Sequence, residues 1–253
     1  MAPNIQTFIN SFQNRLEPPV RQHLKNVYGT LMMTCTAASV GVYVDMFTRF
    51  QAGFLSAIVG AGLMLMLLAT PDDGKNTKLR LGYLTGFGLT SGMSLGPLLE
   101  YVSAVDPSII VTALLGTTLV FVCFSIAAML AERGSWLFLG GTLMTLFSSM
   151  FVMSLANIFL QSQFIYQAHL YLGLVLMCGF VLFDTQLIIE KRRMGSKDFV
   201  QHALELFIDF VGMFRRLVII LTQKVKSTET VKWTSYKAFC EMKNLFYVIC
   251  MFM

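Results

Sequence analysis

Six apolar stretches separated by short polar connections dominate the chain, at residues 28–48, 51–70, 81–99, 108–131, 135–159 and 168–189. Each supplies the ~20 residues that a helix rising 1.5 Å per residue needs to cross hydrocarbon about 30 Å thick. Their period is helical or continuously apolar, without the ten-residue alternation of a membrane barrel. A seventh stretch, 203–222, is apolar but contains Glu205, Asp209, Arg215 and Arg216. It reads either as a full span whose charges face protein or as a re-entrant segment. The pattern therefore predicts an all-α polytopic membrane protein with six to seven transmembrane helices. Ahead of it, Ile5, Phe8, Ile9, Phe12 and Leu16 recur at helical spacing, so residues 1–27 read as a cytosolic amphipathic region or a plain extension. The bundle occupies 28–222, and 223–253 form a basic then apolar tail whose last run, Leu245 to Met253, is too short to cross.

Composition narrows the functional class. Of 253 residues, 55% are hydrophobic and 13% charged, about half the charged fraction of a soluble domain, which excludes an ordinary water-facing surface. The net charge of +5 lies in clusters between apolar runs, as positive loops on one side of a membrane do, and does not point to nucleic acid. The stretch before Tyr28 is polar and interrupted by Pro18 and Pro19, so the first membrane helix is expected to do the targeting. Cys35, Cys123 and Cys178 lie inside apolar runs, Cys240 and Cys250 in the tail, and His23, His169 and His202 are scattered. No spacing suggests zinc, no glycine cradle with an adjacent lysine suggests phosphate chemistry, and no resident cofactor is expected.

Loop charge gives orientation. Arg15, Arg21 and Lys25, then Lys75, Lys78 and Arg80, then Arg133, then Lys191, Arg192, Arg193 and Lys197 occupy the N-terminal region and the even-numbered connections. Among the odd connections only the first has one, Arg49, so the N-terminus is expected in the cytosol. A full span at 203–222 would put the lysines of the tail on the far side, against that rule. Small residues mark close packing: Gly88, Gly92 and Gly96 stand four apart, with Gly82 and Gly86 before them, suiting either internal helix contact or an interface between subunits.

The candidate chemistry is carboxylate. Asp184 lies six residues before Glu190 and Asp209 six beyond Ala203, so each sits ~9 Å inside the same end of adjacent segments. The connection 191–202 is short, which makes the segments antiparallel neighbours and allows the carboxylates to face one another. Glu205 stands one turn before Asp209 on the same face. In one reading Asp184 and Asp209 share a proton, and losing it introduces repulsion while creating oxygen ligands for a hard cation such as calcium. In the other, the acids pair with Arg215, Arg216 or loop lysines and fix helix packing. Paired aspartates also activate water in intramembrane proteases, but no protease motif accompanies these two. Glu132 and Arg133 read as a solvated turn, and nothing local makes His23 or His169 a sensor.

The segment Gly88-Leu-Thr-Ser-Gly-Met-Ser-Leu-Gly-Pro97, followed by Thr112-Ala-Leu-Leu-Gly-Thr-Thr-Leu-Val-Phe121, resembles the signature of the Bax inhibitor-1 family, also called the transmembrane Bax inhibitor motif family. Tyr171 to Lys191, with Phe183-Asp184-Thr185-Gln186 inside it, and Leu206-Phe-Ile-Asp-Phe210 are similar to the same family, and the resemblance covers roughly residues 20–222. It implies a non-enzymatic protein of the endoplasmic reticulum membrane that suppresses cell death and lets calcium leak in a pH-dependent way, with the sixth helix central. The family's gating acids match Asp184 and Asp209, which would serve as transient calcium ligands, and its neighbouring acid matches Glu205. In bacterial relatives an arginine ending the second helix pairs with the first gating acid. Here Ala69-Thr70-Pro71 stands there, leaving Lys78 or Arg80 as replacements. The expected partners are calcium and the lipid bilayer, with Bcl-2-family and stress-signalling proteins and a homo-oligomer as further ones. The alternative function is a membrane scaffold that regulates such proteins without conducting ions.

Overall fold

The computed structural model describes residues 17–48 and 53–226. The amphipathic reading of residues 1–16, Arg49 and the tail beyond 226 lie outside the described residues. Seven helices are seen among them: α1 (Pro18–Thr48), α2 (Gly53–Ala69), α3 (Thr77–Val105), α4 (Ser108–Leu130), α5 (Leu139–Leu160), α6 (Gln163–Arg193) and α7 (Phe199–Lys226).

Four of them, α1 from Pro18 to Phe47, α4, α5 and α6, are long and apolar enough to cross a membrane. Their outward faces are oily: Phe159 is 87% exposed, Phe164 80% and Val175 70%, which is tolerable in lipid and not in water. The shorter α2, 17 residues long, is apolar but for Ser56. Helices α3 and α7 have the length, 29 and 28 residues, but carry polar side chains, and the structure turns many of these inward. Arg80, Thr90, Ser91 and Ser94 of α3 and His202, Asp209, Arg215 and Thr222 of α7 are all buried.

The first helix begins ten residues earlier than the apolar stretch it contains, because Pro18 and Pro19 open it. A proline in the first turn gives up an amide that has no intrahelical partner anyway. Helix α1 packs along α3 through the glycine row expected to make a close contact. A methyl group on Gly92 would collide with the Ala38 carbonyl, one on Gly88 would meet Thr34 at 2.8 Å, and one on Gly41 would collide with the Leu89 carbonyl. The row thus serves contact within the chain.

Helix α7 is the most enclosed element. No residue from Phe199 to Gln223 is exposed, and α1, α3, α4 and α6 all touch it. Helix α6 lies beside it, touches α1, α4, α5 and α7, and keeps an exposed face at Tyr171, Leu172 and Val175.

Candidate functional site

Helices α6 and α7 are joined by five residues, turned at Gly195, whose φ of 103° suits a residue without a Cβ. Asp198 then fixes where α7 starts. Its Oδ1 accepts the Gln201 amide at 3.0 Å, a helix cap, while its Oδ2 accepts from Arg80 Nη2 at 2.6 Å. Arg80 also lies 3.5 Å from Asp72, so the start of α3, the α2–α3 connection and the start of α7 are tied at one end of the bundle. Arg80 is therefore engaged with Asp198 and Asp72, and Lys78 is exposed.

Rotation of α6 is held by Gln186. Its Nε2 donates to the carbonyls of Glu132 at 3.1 Å and Ala128 at 3.3 Å, and its Oε1 accepts the Trp136 amide at 2.8 Å. Arg133 reaches the same helix with a two-pronged bond to Glu190, 2.6 and 3.1 Å, so the turn read as solvated is anchored. The Glu190 carboxylate holds the exposed Arg133 guanidinium above its ordinary pKa. A cavity of about 250 Å³ opens here, lined by Ala128, Glu132, Arg133, Gln186, Glu190 and Arg193 among others.

So positioned, α6 and α7 meet along a seam. On α7, Glu205, Asp209, Gly212 and Arg216 are spaced four, three and four apart and share one face. On α6, Gly173, Met177, Asp184 and Lys191 are spaced four, seven and seven. The seam is layered. At the connection end Lys191 Nζ lies 3.7 Å from Glu205 Oε1, whose carboxylate also accepts from Gln201 at 3.2 Å. Next, the Asp184 and Asp209 carboxyl groups lie side by side, close enough to act on each other. Beyond them Met177 faces Gly212, its sulfur 3.2 Å from where a Cβ would stand, and Arg216 lies over Gly173.

Two carboxyl groups placed side by side can bond to each other only while at least one proton lies between them. Asp209 is 2% exposed, and its Oδ2, like the Oε2 of Glu205, is buried without a hydrogen-bond partner among the described residues. The structure thus brings Asp184, Asp209 and Glu205 to one seam. Among the described residues, no group of three or more His, Cys, Asp and Glu is placed to hold a metal ion.

Sequence reasoning missed a second polar contact. His23 Nε2 and His202 Nδ1 lie 3.0 Å apart, both rings buried, joining α1 to α7. The two are 179 positions apart in sequence, so no local signal announces it.

Such a bundle, oily outside with its ionisable groups turned inward, is a multi-pass α-helical membrane protein that has the lipid bilayer as its solvent. Residues 20–226 match the family described as Inhibitor of apoptosis-promoting Bax1. The chain is 49% identical over 220 residues to Bax inhibitor 1 of Rattus norvegicus, covering 87% of this chain and 93% of that protein. It is 46% identical over 219 residues to Bax inhibitor 1 of Drosophila melanogaster, covering 87% and 89%. To Bax inhibitor 1 of Arabidopsis thaliana it is 39% identical over 216 residues, covering 85% and 86%. The chain belongs to the Bax inhibitor-1 family, whose members are inhibitors of cell death and not enzymes.

Proposed function

We propose that the chain is a pH-sensitive calcium leak pathway of the endoplasmic reticulum membrane that suppresses apoptosis and stress-induced death, gated by Asp184 and Asp209. The observation that carries this reading is the apposition of two carboxyl groups inside the bundle, beside two buried carboxylate oxygens without a hydrogen-bond partner among the described residues. With one shared proton the pair holds α6 against α7. Losing it leaves two like charges side by side in a poorly solvated place, which pushes the helices apart. The same loss supplies oxygen ligands for a hard cation, and Glu205 extends them toward the connection. Calcium is cargo on this route, met in passing by Asp184 and Asp209. Location in the endoplasmic reticulum and the choice of calcium rest on family membership.

The proposed topology has the N-terminus and the basic even-numbered connections in the cytosol. Helix α7 runs unbroken for 28 residues, about 42 Å, which favours a full span over a re-entrant loop. Helices α6 and α7 together form the centre of the pathway.

The test is calcium release from loaded liposomes containing the purified protein. Release should rise with pH as the shared proton is lost, and D184N and D209N should each flatten that dependence. Equal release from empty and protein-containing vesicles would overturn the reading and leave the scaffold for Bcl-2-family or stress-signalling partners. In that case variants without flux should still protect cells.

A further inference from the structure

Arg216 is a charged member of the α6–α7 seam that the proposed gate does not use. It stands seven residues beyond Asp209 on the same face of α7, ~10 Å further from the α6–α7 connection. Its position on the seam is set by a glycine. A Cβ on Gly173 of α6 would collide with the guanidinium, with Cζ and Nη2 at 3.0 Å, so the missing side chain is what seats it. Its Nη1 donates to the carbonyl of Gly212, 3.3 Å away, and to no carboxylate among the described residues. The charged or titratable groups around it are Arg215 and His169, which add no negative charge. Met177 and Gly212 form the layer between this guanidinium and the Asp184–Asp209 pair. A guanidinium in such a place is normally paired with a carboxylate or phosphate; among the described residues the one side-chain bond seen for Arg216 is that to Gly212.

We propose that Arg216, seated on Gly173, is the charge filter of the seam: a fixed positive charge that a cation must pass to travel between the Asp184–Asp209 pair and the other end of the bundle. The proposal rests on the calcium-leak reading and names the residue that keeps that leak slow. A divalent ion feels twice the repulsion that a monovalent one does, so the filter acts most strongly on calcium. The two charged layers then have opposite roles on one path. The aspartates attract the ion, and Arg216 limits how often it completes the crossing. An apolar Met177 layer between them keeps the opposite charges from neutralising each other.

The experiment uses the full chain in calcium-loaded liposomes and in planar bilayers. R216Q is expected to raise calcium release on the order of tenfold over the parent, and to raise calcium permeability relative to chloride. R216K keeps the charge and should stay near the parent rate. R216L takes the place of R216Q if the glutamine variant is not recovered folded, as judged by size-exclusion profile and thermal unfolding. Release and permeability ratio unchanged in R216Q, while D184N still alters the parent's pH profile, would overturn the filter and leave the gate standing. Release no faster than from empty vesicles in the parent would remove the leak reading and the filter with it. A merely structural Arg216 would lower thermal stability in R216Q without moving the permeability ratio.

Discussion

The Nε2 of His23, near the start of α1, lies 3.0 Å from the Nδ1 of His202 on α7, with the rings edge to face. A bond between two imidazole nitrogens needs one of them unprotonated to accept. Lys191 and Arg192 of α6 and Asp198 of the α6–α7 connection surround the pair electrostatically. Protonating both rings removes the acceptor and sets two like charges beside each other, with Lys191 and Arg192 opposing and Asp198 favouring the charged state.

Two consequences are measurable by thermal unfolding in detergent. H23A should cost about 1–3 kcal/mol, because it strands a buried nitrogen of His202, and H23A with H202A should cost clearly less than the two single changes summed. The parent should also lose more stability than the double variant when acidified from about pH 7.5 to about pH 5. Simple additivity in the cycle would show that the ring contact does not couple α1 to α7.

Arg80 is the second tie at that end. Its side chain is 3% exposed and that of Asp198 16%, so R80A leaves a largely buried carboxylate alone and should cost about 3–5 kcal/mol. D198N keeps a capping oxygen for the Gln201 amide and should cost less than D198A, which loses cap and ion pair together. Because Arg80 pairs with Asp198 and not with Asp184, D198N should leave the pH profile of calcium release where it was. A profile shifted as far as by D184N would mean that Arg80 acts on the aspartates after all.

What was legible in the sequence divides by where side chains face. Helices α4, α5 and α6 were plain from apolar length, since much of their surface meets lipid. The extents of α3 and α7 were harder to read, because their polar residues point into the protein and lower the apolar signal of a helix that lipid touches little. The convergence of Asp184 and Asp209 was readable because a short connection makes depth a matter of counting residues. The His23–His202 contact and the Arg80–Asp198 pair were not, since each joins elements more than a hundred residues apart. The glycine row announced a close approach, and only the fold named its partners, Thr34 and Ala38 on α1 and the Asp45 carboxylate facing Gly96.

That row supports a paired comparison. G92A drives a methyl group into the Ala38 backbone, which cannot rotate away, so α1 and α3 must separate, and a loss of about 1–3 kcal/mol is expected. Gly62 of α2 has nothing within 4 Å of the same methyl group, so G62A should be neutral or stabilise by a few tenths, up to about 1 kcal/mol, through helix propensity. Equal effects of the two changes in a thermal-shift assay would mean that α1 and α3 are not held at this distance.

Met177 tests whether the seam is the route. It is 1% exposed and fills the layer between the aspartates and Arg216, opposite a glycine that leaves it room. M177A should cost about 2–3 kcal/mol in stability by opening a cavity, and M177L, which keeps the volume, less than about 1.5. If ions pass between α6 and α7, the space that destabilises M177A also widens their narrowest apolar layer, so calcium release per folded molecule should rise in M177A and change little in M177L. A destabilised M177A that releases calcium no faster than the parent would place the pathway elsewhere in the bundle, because a constriction made larger cannot leave the current through it unchanged.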